Sequence, residues 1–246
     1  MTESAKGPWY NSAGELIAMN LDEPHGEAVR ISKDMALTEI DQLLAQMDRE
    51  YPHVSRLTFR IDPFTPPAFE ARLVVDGWAP KDALVLALDG ELRRQSSDCD
   101  IRPIEDENAW RAYADLKRLD CGESLPSGEH TDDTALAHAF THSNRLKCPP
   151  VQFALAYQDG RAVGHCSAWE GTEGVGQVED LFVDPSYRHR GIATALIHYG
   201  VKTARARGAG AVVIVVDPKN TAKTMYTALG WRPVAVCREY GKSPGA

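Results

Sequence analysis

The chain has 246 residues, 43% of them hydrophobic and 25% charged, ordinary proportions for a folded protein that exclude disorder, collagen and coiled coil as descriptions of the whole. At about 150 residues per domain, that length holds one large domain or two small ones. The formal charge of −8 argues against a protein that grips nucleic acid by neutralising phosphates, and it favours a cationic small substrate.

The first strong signals are a helical stretch over 38–50 and an extended stretch over 56–62. A polar segment over 91–98 follows the apolar run 83–88, and it places a boundary near residue 95, giving domains 1–95 and 96–246. The second part alternates strand and helix. A short strand at 100–104 precedes a helix over 105–119 that sets Trp110, Tyr113, Ala114 and Lys117 at helical spacing. Residues 121–130 read as a loop and 132–144 as a second helix.

A meander then runs through strands at 151–157, 162–169 and 175–183, with an Asp-Gly hairpin turn at 159–160. A helix over 191–206, a strand over 211–216 apolar on both faces, a helix from 217 to 229 and a strand over 231–240 complete the order. The ending has an echo in the first part. Residues 56–63 and 73–80 repeat the order of strand, Asp-Pro, helix, Gly-Trp-x-Pro and strand seen at 212–218 and 226–233, and such internal repeats bear on the whole fold.

Five cysteines (Cys99, Cys121, Cys148, Cys166 and Cys237) are widely spaced without a C-x-x-C pair. Neither a disulfide framework nor a cysteine zinc site is expected, no metal is invoked, and a reducing cytoplasm is the natural setting. Residues 1–10 lack the pattern of a signal peptide and no apolar run nears the roughly 20 residues of a span, so no membrane partner is expected.

The segment with chemistry runs from Glu179 to Ala193. A strand enters a turn, Arg188-x-x-Gly191-x-Ala193, and a long helix starts at once. Amides at such a helix start lack acceptors inside the helix and form an anion site. Gly191 and Ala193 admit a phosphate close to the backbone, while Arg188 and Arg190 add charge. Neither a dinucleotide G-x-G-x-x-G loop nor a P-loop is present.

This segment resembles the acetyl-coenzyme A loop of the GNAT superfamily of N-acetyltransferases, R/Q-x-x-G-x-G/A after a strand ending in V-D-P. Ala193 stands where Gly is commoner. Downstream, Asn220, Ala222, Tyr226, Leu229, Gly230 and Trp231 match the family's Asn, Ala and Tyr before L-G-F. The resemblance covers residues 100–240. It implies an α/β fold with a central mixed, mostly antiparallel sheet flanked by helices, preceded by a smaller, degenerate GNAT-like N-terminal domain.

The resemblance also implies roles. The pyrophosphate of acetyl-CoA would lie on Arg188, His189, Arg190, Gly191, Ile192 and Ala193. The pantetheine arm would add to the splayed strand at Leu181, Phe182 and Val183, which needs a bulge or divergence to free the backbone, and Asn220 would hydrogen-bond near it unless it serves as a helix cap. Tyr226 would protonate the leaving thiolate. Glu179 would accept the amine's proton, or act as a plain surface carboxylate. Side chains alternate along a strand, so Glu179 and Asp180 are expected on opposite faces. His165 reads as an interior residue.

The implied activity is transfer of acetyl from acetyl-CoA to a primary amine by direct attack in a ternary complex. The acceptor wall carries Asp115, Asp120, Glu123, Glu129, Asp132 and Asp133, which suits a small cationic amine such as a polyamine, an antibiotic or another metabolite. A protein lysine or N-terminal acceptor, and a catalytically silent coenzyme A sensor or scaffold, stay open. A monomer or homodimer is expected. The first part has Leu73 where the second has Tyr226, and no glycine loop before its helix, so it is not expected to bind coenzyme A.

Overall fold

The computed structural model describes residues 27–30, 37–50, 57–61, 65–93, 98–124, 133–171, 173–219 and 222–242. The chain divides into two compact units, Met1–Leu84 with Ala235–Ala246, and Val85–Val234. The polar segment over 91–98 thus lies inside the second unit. The first unit ends within a strand, and residues 235–246 group with it.

In the first unit, β1 (Glu27–Arg30) pairs in parallel with β2 (Leu57–Ile61), which pairs antiparallel with residues 238–242 of β9 (Arg232–Lys242). Helices α1 (Leu37–Glu50) and α2 (Pro67–Val75) and strand β3 (Ala79–Leu88) complete the elements that lie in it wholly or in part. Its core gathers Ile40, Phe59, Ile61, Phe69, Leu73, Trp78 and Tyr240. Phe59 meets Phe69 and Trp78 edge-on at 5.1 and 4.8 Å, an arrangement that suits the quadrupoles of the rings.

The second unit is a mixed, mostly antiparallel sheet flanked by helices. Strands β4 (Asp100–Pro103), β5 (Gln152–Gln158), β6 (Arg161–Trp169) and β7 (Gly176–Val183) pair antiparallel in turn, and β8 (Val212–Val216) joins β7 in parallel. Asp159 and Gly160, both at positive φ, make the expected tight hairpin between β5 and β6. Alternation along β5 builds two cores. Phe153 and Leu155 join Trp110, Tyr113 and Leu116 of α3 (Glu107–Ser124) on one face. Ala154 and Ala156 join Ile192 and Leu196 of α5 (Ile192–Ala206) on the other.

Helix α3 runs to Ser124, past the start of the expected loop at 121, because Cys121 is buried one turn beyond Lys117 and extends the inward stripe. Helix α4 (Asp133–Leu146) follows, and α6 (Ala222–Leu229) precedes β9. Among the described residues no helix is long and apolar enough to cross a membrane.

Candidate active site

Strand β7 is the axis of the site. Its parallel pairing with β8 runs over Gly176↔Val212 and Gln177↔Val213, although both strands continue further. Past Gln177 the two diverge. On the other side, His165 pairs with Phe182 and Ser167 with Glu179, so three steps on β7 match two on β6. The extra residue is a bulge, centred on Asp180 at φ +55. Bulges re-aim side chains and interrupt a ladder.

Strict alternation therefore does not pass through Asp180, and the expectation that Glu179 and Asp180 simply face opposite ways is corrected by the backbone. Glu179 is half-buried and accepts a hydrogen bond from Gln177 Nε2. Asp180 is surrounded. Its carboxylate accepts from Lys117 Nζ at 2.6 Å and from the Tyr113 hydroxyl, and its main-chain oxygen lies 2.6 Å from His165 Nδ1. That carbonyl can only accept, so His165 Nδ1 carries the hydrogen. His165 Nε2 is buried without a hydrogen-bond partner.

Burial pushes the Asp180 carboxyl up, but the His165 imidazole, the Lys117 ammonium and the Tyr113 hydrogen bond outweigh it and hold it below the ordinary range. Burial lowers the His165 imidazole, and the Asp180 carboxylate beside it acts against that shift; Lys117 Nζ is the cation in direct contact with the Asp180 carboxylate. Asp120, His165 and Asp180 offer ligand atoms within 4.8 Å of one another. Lys117 Nζ lies 2.7 Å from Asp120 and 2.6 Å from Asp180, so an ammonium already holds the place a cation would take between those two carboxylates.

The turn after β7 starts with Asp184, whose Oδ1 accepts from the Ser186 amide at 2.9 Å and opens a single 3-10 turn over Pro185–Tyr187. His189 is left-handed at φ +63 and Gly191 caps α5 at φ +83. Left-handed residues in a turn aim successive amides into one concavity, and the amides of Ile192, Ala193 and Thr194 in the first turn of α5 find no acceptor inside the helix. Gly200 lets α5 lie close on β7, since a Cβ there would stand 3.0 Å from Val178.

Arg188 turns back toward the sheet. Its Nε donates to Val183 O at 3.0 Å and its Nη2 pairs with Glu123. Arg190 is exposed, with its guanidinium over the Tyr187 ring. Tyr226 on α6 is buried beside Trp231, and burial, followed by the nearby Cys166 thiol, pushes its phenol well above 10. It keeps its proton at any physiological pH. Asn220 lies outside the described residues.

Sequence reasoning missed the partners of Asp180 and also Lys147, which donates to Asn144 Oδ1 at 2.8 Å. Burial lowers the Lys147 ammonium, while the Glu179 and Asp180 carboxylates act against that shift. One signal was available: a lysine on the apolar stripe of a helix, as Lys117 is, needs a buried carboxylate partner. Of the expected acidic wall, Asp120 pairs with Lys117 and Glu123 with Arg188, while Glu129 and Asp132 lie outside the described residues.

A strand bulged at Asp180 lies beside a glycine-capped helix, and the comparisons name the class. Residues 110–231, just under half of the chain, match the acetyltransferase (GNAT) family. A mycothiol acetyltransferase of Beutenbergia cavernae is 33% identical over 95 residues, 37% of this chain and 32% of that protein. A glucosamine 6-phosphate N-acetyltransferase of Trypanosoma brucei brucei is 35% identical over 79 residues, 30% of this chain and 52% of the relative. The match to the mycothiol enzyme spans about a third of that protein's length. In fold, the chain is similar to a GCN5-related N-acetyltransferase from Kribbella flavida, with a TM-score of 0.66 at 17% identity over 98% of this chain and 91% of the other.

Proposed function

We propose that the protein moves an acetyl group from acetyl-CoA to the primary amine of a small molecule, by direct attack while both substrates are bound. The observation that carries this reading is the divergence of β7 from β8 beyond Gln177 and Val213. It offers a backbone edge that an extended pantetheine arm can join as a strand. Acetyl-CoA, when bound, supplies the activated acyl group.

The chain's own residues supply the rest. Amides from His189 to Ala193, in the left-handed turn and first turn of α5, hold a diphosphate, with Arg190 adding charge. Arg188 supports the same loop from the β7 side. Leu181, Phe182 and Val183 present main-chain groups to the arm, one of whose amides receives charge growing on the thioester oxygen. Asn220 is assigned to the same arm. Glu179 takes the proton of the incoming ammonium, without which no lone pair is free to attack. Tyr226, protonated throughout, donates to the sulfur as it departs.

The acceptor we assign is a small cationic amine, and the relatives named for mycothiol and glucosamine 6-phosphate support a small molecule. Asp120 and Glu123 of the acidic wall each carry an internal cation, and we assign recognition of the acceptor's charge to Glu179. The five free cysteines accord with a reducing cytoplasm. The first part of the chain, residues 1–95 by sequence, is inferred to be a degenerate copy of the same fold that does not bind coenzyme A.

Isothermal titration with acetyl-CoA, followed by thiol release across polyamines, aminoglycosides, amino sugars and lysine-bearing peptides, tests this. Binding with release on a small amine is expected. Release on peptides alone moves the assignment to a protein acetyltransferase. Binding without release on any amine moves it to a coenzyme A sensor.

A further inference from the structure

Strand β7 reaches its bulged form against an ordinary preference. A residue other than glycine stays in the left-handed region only where its surroundings over-determine it. For Asp180 they do. His165 holds its main-chain oxygen, and Lys117 and Tyr113 hold its carboxylate. The Lys117 side chain is 8% exposed and that of Asp180 is 17% exposed, so neither charge has water to fall back on. Asn144 donates to the Tyr113 hydroxyl at 2.7 Å and fixes the phenol. Further along α3, Glu123 holds Arg188, whose Nε caps Val183 O at the end of β7. One polar stripe of a single helix therefore grips both ends of the edge at 180–183.

We infer that this stripe of α3, with Lys117 at its centre, sets the bulge of β7 and so positions the edge that receives the pantetheine arm. Lys117 is a positioning residue for acetyl-CoA. The inference rests on the reading of β7 as the acetyl-CoA edge. Without the ammonium, the buried Asp180 carboxylate loses the cation it pairs with at 2.6 Å, a state that a protein relieves by taking up a proton or by turning the group out to water. Either release lets residue 180 leave the left-handed region and β7 resume regular pairing with β6, which removes the displaced main-chain groups. The Lys117 and Tyr113 side chains make their hydrogen bonds with Asp120, Asp180 and Asn144, away from the amides at 189–193.

The two halves of coenzyme A separate the effects. Acetyl-CoA and 3′-phospho-ADP, which carries the diphosphate but no pantetheine, are titrated into the full chain and into Lys117→Met, Lys117→Arg and Tyr113→Phe. Lys117→Met is expected to weaken acetyl-CoA about ten- to a hundredfold, in line with the cost of misplacing a binding group by about 1 Å, with KM for acetyl-CoA rising in step. Affinity for 3′-phospho-ADP stays at the wild-type value. Lys117→Arg recovers most of the loss, and Tyr113→Phe, which keeps both charges, shows about a three- to tenfold loss for acetyl-CoA alone. Should Lys117→Met not fold, Tyr113→Phe decides by the same criterion. Wild-type affinity for acetyl-CoA in the variants, or equal weakening of both ligands, overturns the inference. A wild-type chain that does not bind acetyl-CoA overturns the proposed function, and this inference falls with it.

Discussion

Helices α2 and α6 end in the same way and carry different side chains at the matching position. After α2, the amide of Gly77 donates to Val74 O at 3.2 Å and that of Trp78 to Leu73 O at 3.0 Å. After α6, Gly230 donates to Thr227 O and Trp231 to Tyr226 O, both at 3.1 Å. Both glycines are left-handed, at φ +80 and +107, as this helix ending requires. Both tryptophans are buried. The residue whose carbonyl takes the tryptophan amide is Leu73 in one and Tyr226 in the other. Leu73 is spent wholly on the apolar core, whereas Tyr226 carries a phenol that burial keeps protonated. A shared backbone device thus fixes where the side chain stands, and under the proposed function the side chain alone decides whether that place holds packing or chemistry.

Five changes would break or sharpen this contrast. Leu73→Ala, at a fully buried position, should cost about 2–5 kcal/mol by urea unfolding with kcat unchanged wherever the protein stays folded; a lost kcat there would give the first helix a role in chemistry. Tyr226→Phe should lower kcat about ten- to a thousandfold with acetyl-CoA affinity unchanged, and an unchanged kcat would remove the phenol from the reaction.

The glycines rank next. Gly77→Ala should cost about 1–2 kcal/mol for the left-handed backbone alone, since a Cβ there meets nothing within 4 Å. At Gly230 a Cβ would also stand 3.2 Å from Arg93 Cγ, so Gly230→Ala should cost more in thermal unfolding, and the reverse order would refute the reading of the two ends. The smallest effect concerns ion pairs. Arg238 and Asp82 meet at 2.9 Å with side chains 41% and 52% exposed, so Asp82→Asn should change stability by less than about 1 kcal/mol, unlike any change at the buried Lys117–Asp180 pair.

Much of this was legible because it is local. The Asp-Gly turn at 159–160, the glycine-capped start of α5 and the apolar run of β8 each follow from a few neighbouring residues. The conformation of Asp180 does not. Its partners Tyr113 and Lys117 lie 67 and 63 residues away, and nothing in Val178–Glu179–Asp180–Leu181 marks a left-handed residue. The period-two rule failed there because tertiary contacts overrode it. The first unit is likewise held together by residues far apart in sequence. Phe59 pairs with Tyr240, and Glu70 accepts from the Tyr240 hydroxyl at 2.9 Å across 170 positions, whereas composition shows only that 91–98 is polar.

That late pairing has a consequence for synthesis. Strand β2 lies between β1 and β9, and residues 238–242 are the last of its neighbours to be made. A nascent polypeptide usually completes its earliest domain first, but here the earliest unit must wait, with one side of β2 unpaired, until translation has passed residue 242. A ribosome stalled after residue 234 would release a product with a bare sheet edge, the kind of surface that recruits other chains into aggregates.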